Sequence, residues 1–203
     1  MEFNELNESR HAVRNFDGKK ISIEEVKQIL QEATLAPSGH NIQSWHFVLV
    51  DNDTVKKALF KEVHPNNHEQ INQAGATLVL FGDTKLSERS DEILNAPDNQ
   101  MNEEIKDYLK ARVPGMFAKM SQEDLNEYIS INSGLVTMNL LLAIKNHGYE
   151  SNVILGFTRT EAINEILNID LRFKPELIIP FGTSDEKGYP SYRFPLDKIF
   201  EVR

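Results

Sequence analysis

The chain has 203 residues, of which 31 are acidic and 22 are Lys or Arg, giving a formal net charge of −9. This balance disfavours an extended nucleic-acid surface, which needs Lys and Arg to neutralise phosphates, but leaves room for a small anion held by a few local arginines. There is no cysteine, which excludes disulfides, thiolate chemistry and Cys-ligated zinc and fits a reducing cytoplasm.

The opening "MEFNELNESR" is acidic and polar, unlike a secretory leader. "SIEEVKQILQEAT" (22–34) begins with a capping box, Ser22 with Glu25, and repeats Val26, Ile29, Leu30 and Ala33 at helical spacing, stopping before Pro37. "APSGHNIQSWHFVLV" (36–50) starts as a turn and ends as a strand carrying Trp45, Phe47, Leu49 and Val50. A helix opened by Asp53, "DTVKKALFKEV", and a buried strand, "ATLVLFGD", come next. Between 84 and 120 the chain is charged and less periodic and carries Pro97 and Pro114, which predicts one or two loosely packed helices around "EEIKDYLKARV". This stretch reads as a helical excursion and candidate lid within a single domain spanning 1–203. A long helix over 123–146 ends at Gly148, a C′ glycine. Its segment "GLVTMNLLLAI" (134–144) is apolar nearly all round: too short to cross a bilayer, it predicts a helix buried on every side, with a second subunit to cover it. An amphipathic helix, "TRTEAINEILNI", and a third buried strand, "ELIIPFGTSD", complete the set. With no repeat and no regular βαβ count, the pattern predicts an α+β fold with a helix-flanked sheet.

Four stretches offer chemistry. "SRHAVRNF" sets Arg10, His11 and Arg14 close together; in a helix Arg10 and Arg14 share a face and repel unless an anion lies between them. Arginine suits bidentate phosphate contact, and the plain alternative is a solvated basic patch balanced by Glu5 and Glu8. "PSGHNIQSW" offers Ser38, the Gly39 backbone, Asn41 and Gln43 to the edge of a planar heterocycle, or forms an ordinary turn. No G-x-S-x-G elbow surrounds Ser38. "VILGFT" places Gly156 where backbone can closely approach a ligand, and "SYRFPLDKIF" carries Arg193 in a segment too apolar for a floppy tail. His64 and His68 are four apart, but Pro65 intervenes and no third ligand is evident, so no metal site is expected. The absence of G-x-G-x-x-G and of a P-loop argues against a Rossmann cofactor or a Walker NTPase.

In order and at these separations, "SRHAVRNF", "APSGHNIQSWHFVLV", "GLVTMNLLLAIKNHGYESNVILGF" and "RFPL" resemble the FMN-dependent nitroreductase family over almost the whole chain. The resemblance implies a nitroreductase-like α+β fold, a central mixed or antiparallel sheet flanked by helices in an interlocked homodimer with non-covalent FMN at the subunit interface. It gives Arg10, His11, Ala12 and Arg14 the phosphate and ribityl chain, and brings Pro37, Ser38, Gly39 and Asn41 to the flavin of the other subunit. Gly156, with Leu155 beside it, matches the residue whose backbone N–H points at flavin N5, and Arg193 matches a C-terminal phosphate ligand. Asn67 and Gln70 fall where relatives contact the pyrimidine edge, while Gln43 and Trp45 hold the shape of the loop. This chain has Leu155 where enteric members carry Glu, Ser191 where they carry Lys, and in Ala12 lacks a hydroxyl that some relatives offer the phosphate.

The resemblance further implies ping-pong hydride transfer from NAD(P)H through flavin N5 to a small aromatic acceptor, a nitroaromatic or a quinone, with FMN carrying the chemistry. The expected setting is cytoplasmic, with no nucleic acid and no membrane. A reductive dehalogenase or flavin-fragmenting relative, with 84–120 as a specific lid, and a low-turnover flavin sensor or storage protein are the alternatives.

Overall fold

A strand buried on both faces cannot alternate polar and apolar residues, and "ATLVLFGD" does not. In the computed structural model, which describes residues 2–203, this strand is β2 (Ala76–Asp83) and is buried at every position. It lies inside a four-stranded antiparallel sheet of order β1-β2-β4-β3, with β1 (Trp45–Leu49), β3 (Glu150–Ser151) and β4 (Phe173–Gly182). Leu78 and Leu80 face one apolar layer with Val26, Ile29, Val136, Leu140 and Ile144. Val79 and Phe81 face the other, with Leu59, Ile71, Ile163 and Ile178. The first layer comes from α2 (Ile23–Ala33) and α7 (Gln122–Asn146), the second from α3 (Asp53–Leu59), α4 (His68–Gln73) and α8 (Glu161–Leu167). The expected helix-flanked α+β sheet is the observed one.

The helix ends follow from their caps. Ser22 Oγ accepts the Glu25 N–H at 3.1 Å, but the Glu25 carboxylate does not return to close the box; it accepts from His147 Nδ1 at 2.8 Å instead. Asn52, not Asp53, caps α3, accepting the Thr54 and Val55 N–H groups at 2.8 and 3.2 Å. Ser121 caps α7, and Gly148 after it takes φ +86°, the left-handed conformation that ends a helix cheaply only in glycine. α7 is not buried all round: Ile131, Leu135 and Met138 stand 59%, 41% and 41% exposed along one face. Its 25 residues satisfy length and hydropathy for a membrane span, yet it packs as the central helix against the sheet and α2. β4 begins and ends three residues earlier than the expected 176–185 and contains Pro175 and Pro180; Pro175 lies opposite Phe81, where the β2 register shifts, so its missing N–H falls at an irregularity in the ladder.

Residues 84–120 form α5 (Leu86–Leu94) and α6 (Glu103–Phe117). These are not loose: Leu86, Val113 and Phe117 bury against Ile42 and Ile129 in a cluster of their own. Pro114 sits within α6, and its carbonyl accepts the Ser87 hydroxyl at 3.0 Å, tying the two helices together. Arg172 holds the excursion to the sheet, with Nε and Nη2 donating to the buried Asp83 carboxylate at 2.7 and 2.6 Å and Nη1 donating to Glu92 at 3.0 Å. The short N-terminal helix α1 (Phe3–Ser9) and strand β3 carry no periodic signal and were not anticipated. From Tyr189 to Arg203 every residue is exposed, including Tyr192, Phe194, Ile199 and Phe200.

Candidate functional site

Arg10 ends α1 with an extended backbone (ψ 113°), and the chain beyond it is not helical. The face shared by Arg10 and Arg14 therefore does not come from a helix. Val13 donates its N–H to the Ser151 carbonyl at 3.0 Å and is buried, and Ala12 bridges Ser151 in parallel. Alternation in this extended segment turns Ala12 and Arg14 away from the core, on the side opposite Val13. Both line a cleft of about 270 Å³ with Asn66, Glu69 and Gln70. Arg10 Nε is buried and donates to nothing among the described residues. Gly188 crosses close to this segment: a Cβ there would come within 2.6 Å of His11 Cβ and 2.9 Å of the Ala12 carbonyl oxygen.

Gly156 lines a second cleft, of about 410 Å³, with His64, Phe157 and Thr158. Its carbonyl accepts the His64 N–H at 3.0 Å, while its own N–H donates to no described protein group. A Cβ at Gly156 would lie 3.3 Å from Asn67 Nδ2, so any side chain would press into the neighbouring carboxamide. Leu155 beside it is 62% exposed. Asn67 and Gln70 run between the two clefts: Gln70 lines the first and donates Nε2 to Asn67 Oδ1 at 2.7 Å, and Asn67 Nδ2 faces the carbonyl of Gly156, which lines the second. Asn152, which the sequence did not single out, buries beneath them and donates to Gln70 Oε1 at 2.7 Å.

Pro37, Ser38, Gly39 and Asn41 are held elsewhere. Their loop carries three non-glycine residues in the left-handed region, His40, Asn41 and Gln43, with φ of 54°, 53° and 44°. Such conformations persist only where surrounding bonds over-determine them. Here Gly39 N–H donates to Asn132 Oδ1 at 2.9 Å, Gln43 N–H to Ser38 Oγ at 3.0 Å, and Gln43 Nε2 to the Asn41 carbonyl at 3.3 Å. Gln43 thus shapes the loop, as its position suggested. His40 Nδ1 and the Tyr128 hydroxyl share a hydrogen bond at 2.9 Å, and burial pushes the Tyr128 phenol above its ordinary value, keeping it protonated. Gly39 is required here: a Cβ would overlap the Tyr128 hydroxyl at 2.0 Å. His40 also lines a cleft of about 460 Å³ with Tyr108, Arg112 and Met116 of α6. Tyr128 and Asn132 are further residues that sequence reading missed, because helical periodicity does not say which loop a helix will meet.

One chain therefore carries two separate polar surfaces, Ala12 and Arg14 with Gln70, Asn67 and Gly156, and the 37–43 loop with α6. The bonds of the loop run to Tyr128, Asn132 and Arg89, none to the first surface. Arg193 joins neither: in the exposed C-terminal segment its Nη1 donates to the neighbouring Tyr192 carbonyl at 3.1 Å. The first surface can take a phosphorylated heterocycle, since Arg14 lines one cleft, beside Glu69 and Glu186, and the Gly156 N–H is left free at the other.

Comparison with known proteins places this arrangement. A family model described as "Nitroreductase family" matches residues 8–183. A Streptococcus pyogenes protein named "Putative NAD(P)H nitroreductase" is 40% identical over 203 residues, covering 100% of both chains. The crystal structure of a nitroreductase family protein from Streptococcus pneumoniae superposes with TM-score 0.93 at 42% identity, again over 100% of both chains. The structure of a "putative nitroreductase in complex with FMN" from Exiguobacterium sibiricum gives TM-score 0.93 at 33% identity, over 100% of this chain and 98% of its own. With the same fold throughout and a family match over most of its length, this chain belongs to the nitroreductase family.

Proposed function

We propose that the chain is an FMN-dependent oxidoreductase that uses NAD(P)H to reduce nitroaromatic or quinone-type acceptors, working as a homodimer with one non-covalent FMN per subunit. The observation that carries this reading is the continuous polar edge from the Arg14-lined cleft through Gln70 and Asn67 to the free N–H of Gly156. FMN, when bound, supplies a two-electron carrier between the two substrates. Arg10, His11, Ala12 and Arg14 would hold its phosphate and ribityl chain, with Arg193 as a further cation. Asn67 and Gln70 would meet the pyrimidine edge, and the Gly156 N–H would meet the reacting edge, with Leu155 beside it. The loop 37–41 would complete the site of the neighbouring subunit, which accounts for its separation from the first surface within one chain. No acid or base side chain is required, because solvent supplies protons. The FMN complex of the Exiguobacterium relative supports the choice of flavin.

The test is direct. Purified protein should be yellow, release FMN and not FAD on chromatography, and oxidise NAD(P)H when given a nitroaromatic or a quinone. Well-folded protein with FAD, with no flavin, or with bound FMN and no such turnover would refute the reading.

A further inference from the structure

Three carboxamides beneath Gly156 form a chain with a direction. Asn152 is 9% exposed and is fixed to the sheet by its backbone N–H, which donates to the Pro180 carbonyl at 3.1 Å. Its Nδ2 donates to Gln70 Oε1 at 2.7 Å, and Gln70, 2% exposed, donates Nε2 to Asn67 Oδ1 at 2.7 Å. Asn67 Nδ2 then faces the Gly156 carbonyl oxygen at 3.5 Å. That carbonyl can only accept, and it already takes the His64 N–H at 3.0 Å. Reversing the chain would set Asn67 Oδ1 against it, oxygen to oxygen at the same separation. The Gly156 carbonyl therefore orients the Asn67 amide from one end, Asn152 Nδ2 holds Gln70 Oε1 from the other, and each amide nitrogen keeps a second hydrogen beyond the one used in the chain.

We propose that Asn152 is a positioning residue that holds the Gln70 and Asn67 amides with their spare N–H groups available to the cofactor, so that the site favours reduced over oxidised FMN. The inference rests on the FMN reading above. Two-electron reduction of a flavin at neutral pH leaves negative charge on its N1 and C2-carbonyl side, and a donor bonded to a charged acceptor is roughly twice as strong as one bonded to a neutral acceptor. Donors held in one orientation therefore gain on reduction, whereas amides free to flip offer their oxygens to the oxidised ring as readily. Asn152 does this from beneath Gln70: Gln70 lines the cleft and Asn152 does not.

The experiment uses the full-length holoprotein and Asn152→Leu, which keeps most of the volume and adds no charge. Dissociation constants for oxidised and reduced FMN are measured separately, together with the two-electron midpoint potential of the bound flavin. The expected result is a rise of about tenfold or more in the ratio of the reduced to the oxidised constant, equivalent to a fall of about 30 mV in potential. Asn152→Ser, whose short hydroxyl cannot span to Gln70, should show the same shift and stands in if the leucine variant does not fold. Equal weakening of both constants with an unchanged potential assigns Asn152 a purely structural role and overturns the proposal. Folded wild-type protein that takes up no FMN overturns the functional reading and this inference with it; bound FMN with an unaltered potential in the variants overturns this inference alone.

Discussion

Arg10 keeps one guanidinium nitrogen, Nε, out of water with no described partner, a feature it shares with Arg89. A charged group in that position is costly until an anion reaches it. A charge-assisted contact to phosphate is worth about 1.5–3 kcal/mol, so Arg10→Ala should weaken FMN binding by about tenfold or more with the melting temperature nearly unchanged. Arg193→Ala should weaken it comparably if the C-terminal segment contributes to the same phosphate; fluorescence titration of both apoproteins checks this, and unchanged affinity would make Arg193 a surface residue. Leu155 bears on the choice of reductant. It is exposed and apolar beside Gly156, so it offers nothing to separate a 2′-phosphate from a hydroxyl, and kcat/KM for NADH and NADPH should differ by less than about a hundredfold, or about 2.7 kcal/mol.

Among elements, the joint between α2 and α7 is sensitive to pH. His147 caps α7 and bonds Glu25 at 2.8 Å and Glu32 at 2.9 Å, both on α2. The bond to Glu25 and then the bond to Glu32 raise the imidazole above its ordinary value, outweighing the opposing effect of burial. Because its folded value lies above its unfolded one, the charged histidine contributes stability that is fully present below about pH 6.5 and is lost as pH rises through the folded value. Urea unfolding midpoints should accordingly decline over that interval, and His147→Gln should flatten the decline. The joint between β2, β4 and α5 is of a different kind. Asp83 is 1% exposed and takes two bonds from Arg172, so Asp83→Ala leaves the Arg172 Nε and Nη2 donors unpaired while Nη1 keeps Glu92. That should cost about 1–3 kcal/mol in chemical denaturation, more than removal of an exposed pair such as Lys20 with Asp51.

At the scale of the molecule, two apolar surfaces lack cover from their own chain: the α7 face with Ile131, Leu135 and Met138, and the segment from Tyr189 to Arg203. A second copy is the proposed cover for both, and the loop 37–41 would then reach the partner's flavin. Met138→Asp would bury an unpaired carboxylate at that contact, which is strongly unfavourable. Monomer and loss of FMN should appear together when light scattering and flavin absorbance are read on one column run, and apparent FMN affinity should depend on protein concentration. A monomer that keeps stoichiometric flavin would show that the site is built within one chain.

Composition and short-range pattern settle part of this protein. The period of 3.6 in 22–34, the unbroken apolar run of β2, the caps at Ser22 and the glycine after α7 were all readable, because each depends on residues a few positions apart. The ordered motifs likewise announced the family. Tertiary structure alone decided the rest. The segment after Arg10 is extended, not helical, because β3 offers it a backbone partner more than a hundred residues away at Ser151. Glu25 leaves its capping box for His147, 122 positions distant. Asn152 meets Gln70 across 82 positions, with no spacing in the sequence to mark it. Local propensity acts between chain neighbours, whereas a buried polar group takes whichever partner the packed core brings within hydrogen-bond reach, and for Asn67, Gln70 and Asn152 that pairing appears only once the sheet and its helices are in place.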